Sequence, residues 1–340
     1  MANRDLVAIG TSAGGVDALL TLARKLPSAF PASILITIHL PEHFRSSLDE
    51  LLNRSGPLPA KFAAHGETIR KSHIYIAPPG RHLIVDGQKL TLGTGPRENN
   101  TRPAIDPMLR SAALCCGPRS VGVVLTGTLG DGASGLWTIR RCGGIAVVQE
   151  PSDAAFADMP MNALNQAQPD HVVRLKDLPR LLETLVDEPS GRAAETPSGL
   201  RYEVEVARGG SANMSNMDRI GRRSVLTCPD CDGVMWEIEE DDLVRFRCHL
   251  GHAYTSEVMS VALDESVRRA LGSGLRALEE RIALFKKLAK QAHNQGSARV
   301  AVAWTEKADE LEGEADTIRK AIKRVEDVAA KAEAERAAAA

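Results

Sequence analysis

The stretch VAIGTSAGGVDALL, residues 7–20, runs from an apolar segment into a helical pattern through a turn of small residues. With Leu6 in front, LVAIG (6–10) reads as a short buried strand. Beyond the turn, Val16, Leu19, Leu20 and Leu22 recur at helical spacing. Gly10, Gly14 and Gly15 permit a tight connection, and Ser12 stands in a literal G-x-S-x-G. Ser12 has three readings: a nucleophile on a sharp turn, a residue of a phosphate-cradling loop, or a helix N-cap. The dinucleotide spacing G-x-G-x-x-G fails, because position 12 is serine.

The same strand–helix unit repeats outward. SILITIH (33–39) is a second apolar strand, followed by a helical pattern from Phe44 to Leu52. Residues 61–95 break into short pieces, HIYIAPP, HLIVDG and QKLTLG, with a hairpin signal at Asp86-Gly87. Ile105 to Cys115 is helical; SVGVVLTG (120–127), GGIAVVQE (143–150) and DHVVRL (170–175) are buried strands, and 132–141 and 176–187 are helices. Apolar strands alternating with helices predict an α/β domain over 1–187. Its sheet is expected to be doubly wound, mostly parallel and Rossmann-like. In such a sheet, ligands lie beyond the carboxyl ends of the strands. Ser12, His39 and Asp131 each follow a different strand. An acyl-transfer serine needs a base within hydrogen-bond reach and a carboxylate to orient that base. Taken singly, His39 also reads as a core histidine and Asp131 as a turn residue in Gly130-Asp131-Gly132. The chain order Ser, His, Asp differs from the Ser, acid, His order of α/β-hydrolases.

Composition excludes several classes. The 340 residues carry a net charge of −2 and only 4% aromatics, which argues against a nucleic-acid partner or a stacking platform for bases. No apolar run approaches the ~20 residues of a membrane span, so direct membrane insertion is not expected. The N-terminus MANRDLVAIG lacks a signal-peptide layout, which predicts a cytoplasmic protein. Disulfides are rare there, so the six cysteines need another account.

Three of them supply it. In LTCPDCDGVMWEIEEDDLVRFRCHLGHAY (226–254), Cys228 and Cys231 form C-x2-C, and Cys248 and His252 follow after sixteen residues as C-x3-H. Four such ligands suit a structural, tetrahedral zinc ion, with His249 the alternative fourth ligand. The intervening segment reads as two strands around an acidic turn, so 225–255 is expected to be zinc-ribbon-like. Cys115, Cys116 and Cys142 are read as core or near-core residues. Residues 188–224 read as a linker, with RYEVEVA (201–207) alternating like a strand and GGSANMSNMD after it as loop. From 256 to 336, apolar residues at steps of three and four flank Asn294-Gln295-Gly296, which predicts an antiparallel helical hairpin. Its faces are candidates for partner binding or self-association.

The blocks GTSAGG, IHLP, YIAPPGRHL, TRPAIDPMLRSAA and VVLTGTLGDGASG, in order over residues 5 to 187, resemble the CheB-type chemotaxis methylesterase domain. The resemblance implies a parallel α/β fold and a Ser-His-Asp mechanism that needs no cofactor. Ser12 would be the nucleophile, His39 the general base and Asp131 the orienting acid. The backbone amides near Ala13 and Thr128 are oxyanion-hole candidates. The implied reaction is hydrolysis of glutamyl methyl esters on methylated chemoreceptors or receptor-like signalling proteins, with deamidation of glutamines as a second activity. Two departures stand out. The matching block begins within ten residues of Met1, where the family carries a receiver domain, and Thr128 stands where the family has methionine. An adaptor with a vestigial esterase site and a nucleotide-binding module are the competing readings.

Overall fold

The computed structural model describes residues 2–43, 46–240 and 243–339. The chain divides into two compact units, Met1–Met259 and Ser260–Ala339. The first unit opens with β1 (Leu6–Thr11), α1 (Gly15–Ala23), β2 (Ser33–Ile38), α2 (Leu48–Ser55), β3 (Ala60–Phe62) and β4 (Ile74–Ile76). A hairpin of β5 (His82–Asp86) and β6 (Lys89–Gly93) follows, turning at Gly87-Gln88 as the Asp-Gly signal predicts. Next come α3 (Ile105–Cys116), β7 (Ser120–Val124), α4 (Ala133–Arg141), β8 (Ile145–Gln149), α5 (Asp158–Ala167), β9 (His171–Val173) and α6 (Leu178–Asp187). The expected helix start at Phe44 lies outside the described residues; the helix there is described from Leu48.

Seven strands form one parallel sheet in the order β3-β4-β2-β1-β7-β8-β9. Every residue of β1, β2 and β7 is buried, which is why these segments read as unbroken apolar runs rather than alternations. One face packs Leu19 and Leu22 of α1, Leu48 and Leu52 of α2 and Leu182 and Leu185 of α6 against Val7, Ile9, Ile34 and Val123. The other face packs Met108 and Leu109 of α3, Leu136 and Ile139 of α4 and Ala163 of α5 against Ala8, Leu35 and Val148. The sheet is therefore doubly wound, as expected. Successive connections step to opposite sides of β1, so the switch point lies among β2, β1 and β7.

The stretch expected as a linker over 188–224 instead contains two helices, α7 (Leu200–Arg208) and α8 (Met214–Ile220). The alternation of RYEVEVA is also compatible with a helix, since Leu200, Val204 and Ala207 share one face. That face, with Glu203, is buried in the core with the β5–β6 hairpin and α3, and this tertiary partner overrides the local period. The segment expected as loop is nucleated by Asn213, whose side chain accepts the Asn216 amide at 2.9 Å.

A four-stranded antiparallel sheet follows: β10 (Arg222–Thr227), β11 (Val234–Glu240), β12 (Leu243–Cys248) and β13 (Ala253–Thr255). The acidic turn expected between its middle strands falls at Asp241 and Asp242, outside the described residues. This sheet belongs to the same compact unit as the parallel one. It is anchored by buried charge: Arg247 of β12 donates to Glu98 at 3.1 Å and to Glu203 of α7 at 3.2 Å. Arg110 of α3 closes on Glu98, and Arg245 of β12 on Glu203. Burial alone would push the Glu98 and Glu203 carboxyls up, but the arginines hold both below the ordinary range.

The second unit is the expected hairpin. Helix α9 (Ser256–Asn294) leads into it and α10 (Ala298–Ala339) returns. Gly296 turns the chain at φ 75°, Phe285 packs on Trp304 with ring centroids 5.1 Å apart, and Arg319 meets Glu279 at 2.8 Å. Among the described residues, no helix is long and apolar enough to cross a membrane.

Candidate active site and Cys/His cluster

Three adjacent strands end at one place. Ser12 directly follows β1, His39 directly follows β2, and Asp131 lies in the turn between β7 and α4. His39 Nδ1 lies 3.0 Å from Ser12 Oγ, and His39 Nε2 lies 2.7 Å from Asp131 Oδ2. Ser12 does not cap α1: Gly14 is the N-cap, at φ 74°, and no side chain caps that helix. A φ in this left-handed region suits glycine and turns the chain sharply after Ser12. The turn is tied down by Ser12 N–H donating to Thr126 O at 3.0 Å and by Thr126 Oγ1 donating to Ala13 O at 3.0 Å.

Asp131 is buried and fully engaged. Its Oδ2 accepts the Ile105 amide at 2.7 Å, besides facing His39. Its Oδ1 accepts Asn99 Nδ2 at 2.9 Å and the Asp106 amide at 3.2 Å. Burial would raise the Asp131 carboxyl, but the bond and charge of His39, with the Ile105 and Asn99 donors, hold it below the usual carboxylate range. Asp131 thus faces His39 as an anion. Beside it, Asp106 accepts the Gly132 amide at 3.1 Å and the Gly135 amide at 2.6 Å. Burial, and then the Asp131 charge, push the Asp106 carboxyl up to about 7. Asn99 and Asp106 are the members of this cluster that sequence reasoning missed. Asp106 lies in the quoted block TRPAIDPMLRSAA, but no local pattern marks it as a neighbour of Asp131. A cavity of about 480 Å³ opens beside His39, with Pro41, Arg97, Asn100 and Arg102 in its wall.

In the same unit, Cys228, Cys231, Cys248 and His252 converge, their ligand atoms all within 4.8 Å of one another. Cys231 and Cys248 sulfurs are 3.7 Å apart, and His252 Nδ1 is 3.6 Å from Cys228 Sγ and 3.4 Å from Cys248 Sγ. Zn–S bonds of about 2.3 Å give a tetrahedron with edges of about 3.7 Å, so these spacings fit such an ion. Two tight turns present the ligands, closed by Cys228 N–H to Gly233 O at 2.8 Å and by Cys248 N–H to His252 O at 2.9 Å. His249 is not in the group; its ring lies against Gly233. The cluster can hold a metal ion.

The family model described as CheB methylesterase matches residues 7–182. A relative from Leptospira interrogans is 34% identical over 180 residues, covering 53% of this chain and 93% of that one. The chain belongs to the CheB methylesterase family. Family relatives from Anaeromyxobacter dehalogenans (35% identical) and Xanthomonas campestris (37%) are named protein-glutamate methylesterase/protein-glutamine glutaminase. Each match covers 53% of this chain, and the chain spans about half of their length, 53% and 51%. The crystal structure of the Thermotoga maritima CheB methylesterase catalytic domain is similar at a TM-score of 0.52 and 30% identity. It covers 55% of this chain and 100% of that one. As a member of this family, the chain is a carboxylic ester hydrolase. The family model stops before α7, so the Cys/His module and the hairpin lie outside it.

Proposed function

We propose that this chain hydrolyses glutamyl methyl esters, and deamidates glutamines, on methylated chemoreceptors or similar signalling proteins in the cytoplasm. The observation that carries the reading is the hydrogen-bonded series Ser12–His39–Asp131, at 3.0 and 2.7 Å across three strand ends. Asp131 accepts a hydrogen bond from His39 Nε2–H, which leaves Nδ1 free to take the Ser12 hydroxyl proton. Ser12 Oγ then attacks the ester carbonyl carbon. The Ser12 and Gly127 amides are taken by Thr126 O and Phe156 O, at 3.0 and 3.1 Å. The Ala13 and Thr128 amides are the oxyanion donors in this reading. His39 gives its proton to the departing methoxide, which leaves as methanol, or to the departing amide nitrogen, which leaves as ammonia when glutamine is the substrate. A water molecule, deprotonated by His39, releases the glutamate. Arg97 and Arg102, which face Glu42 at 3.5 and 3.1 Å on the cavity wall, suit an acidic receptor segment. The test is methanol release from methylated receptor membranes; a Ser12→Ala protein as active as wild type would sink the proposal.

The Cys/His cluster is assigned a structural zinc, held by Cys228, Cys231, Cys248 and His252. With four protein ligands no position is open for substrate, so the ion contributes to folding. Native mass spectrometry of wild type and Cys228→Ser measures it; equal metal content in both would count against the assignment. The hairpin of α9 and α10 is assigned to partner or self-association, checked by the oligomeric state of the chain with and without it.

A further inference from the structure

Asn99 joins the Cys/His module to the orienting acid. Its amide Nδ2 donates to Asp131 Oδ1 and to Asp106 Oδ2, both at 2.9 Å. Its Oδ1 accepts the Thr255 amide at 3.0 Å, and its own backbone N–H donates to Ala253 O at 2.8 Å. Ala253 and Thr255 are the two ends of β13, which begins directly after the cluster residue His252. Asn99 is 4% exposed and its φ is 51°, a left-handed conformation that asparagine tolerates better than most residues. Its neighbour Glu98 is fixed between Arg110 and Arg247, so the backbone entering this turn is tied to the same module.

We infer that Asn99 is a positioning residue through which the Cys/His module holds Asp131, so that the site is competent only while β13 is seated. The inference rests on the esterase reading above. Each N–H of the amide faces a different carboxyl; without it, the buried Asp131 and Asp106 lose the side chain that donates to both, and keep their backbone amides and, for Asp131, His39. The pair holds a proton on Asp106 while Asn99 donates to the Asp131 charge; losing that donor shifts the balance toward a proton on Asp131. An uncharged Asp131 no longer stabilises the imidazolium that forms on His39. The two backbone bonds from β13 set the depth and rotation of Asn99. Cys248 N–H bonds His252 O, so the turn bearing the last two cluster residues runs straight into that strand.

The test uses the full chain and labelling of Ser12 by a fluorophosphonate, followed against pH. Asn99→Ala is expected to label at least about tenfold more slowly, with the acid limb of its profile moved to higher pH. Asn99→Asp keeps the acceptor for Thr255 but adds a third carboxyl, and is expected to move the limb further. A Cys228→Ser/Cys231→Ser protein is expected to label slowly as well. Hydrogen–deuterium exchange by mass spectrometry gives an independent readout: treating wild type with a chelator should speed exchange at 98–101. This arm stands even if a variant fails to fold. An Asn99→Ala protein with the wild-type rate and profile overturns the inference. So does exchange at 98–101 that ignores the loss of metal. If wild type itself never labels, the esterase reading fails, and the coupling is then decided by exchange alone.

Discussion

The parallel sheet and the four-stranded sheet solve the same problem at different sizes. The parallel sheet is covered on both faces by α1 to α6, and its strands bury long rows of valine, isoleucine and leucine. Among the described residues, the small sheet has a small core of its own around Met217, Trp236 and Ile238, with Tyr202 and Ile220 packed against it. A core that small stabilises little by itself, and small domains add metals or other staples. Here one staple is the buried arginine–glutamate network, and on the zinc assignment proposed above the Cys/His cluster is the other. The difference governs what polar residues do. On the proposed reading, the large core frees Ser12, His39 and Asp131 for chemistry and the cluster residues hold the fold, as the buried Arg245 and Arg247 do.

The largest expected effect separates chemistry from stability in the parallel sheet. Ser12→Ala should lower methanol release on the order of 10⁵- to 10⁶-fold while the thermal midpoint stays at the wild-type value. A matching drop in midpoint would show that the serine also holds the fold. Metal removal makes the opposite case for the small sheet. Chelation should abolish its ordered structure, seen as loss of the near-ultraviolet signal of Trp236, while the parallel sheet keeps its far-ultraviolet signal. Small zinc modules are commonly unfolded without their ion. Arg247→Met should cost about 1.5–3 kcal/mol in urea unfolding, because it leaves the buried Glu98 and Glu203 with one arginine each, Arg110 and Arg245. A cost under about 1 kcal/mol would mean that the module is held by apolar contact instead.

The smallest effect is a pH dependence. The folded chain keeps a proton on Asp106 up to about pH 7, whereas the ordinary value is 3.8. A raised carboxyl stabilises the fold fully below the ordinary value, and that contribution falls as pH rises from about 4 through 7. Asp131 has the opposite sign: its contribution is present above 3.8 and lost as the solution is made more acidic. Urea midpoints at pH 5 and pH 8 should therefore differ less in Asp106→Asn than in wild type. An unchanged difference would assign the slope to another group.

The strands of the parallel sheet were legible because each is buried on both faces and therefore reads as an apolar run. Ser12, His39 and Asp131 were legible as a set because strand ends in a doubly wound sheet converge, and glycines mark the turns that carry Ser12 and Asp131. The cluster was legible because C-x2-C and C-x3-H are local turns. Helix α7 was misread as a strand because seven residues of RYEVEVA satisfy both periods, and only its seat in the core with α3 and the β5–β6 hairpin distinguishes them.

From its sequence alone, the chain set out the elements of its parallel sheet and the residue types at the strand ends, because periodicity and turn chemistry act over a few neighbours. Tertiary structure decided which of those residues meet. Asn99 lies 32 positions from Asp131 and 156 from Thr255, yet hydrogen-bonds both. Glu98 meets Arg247 across 149 positions. Contacts over such separations depend on how whole layers pack, so the seating of the Cys/His module against Asn99 and Asp131 emerges only in the folded chain.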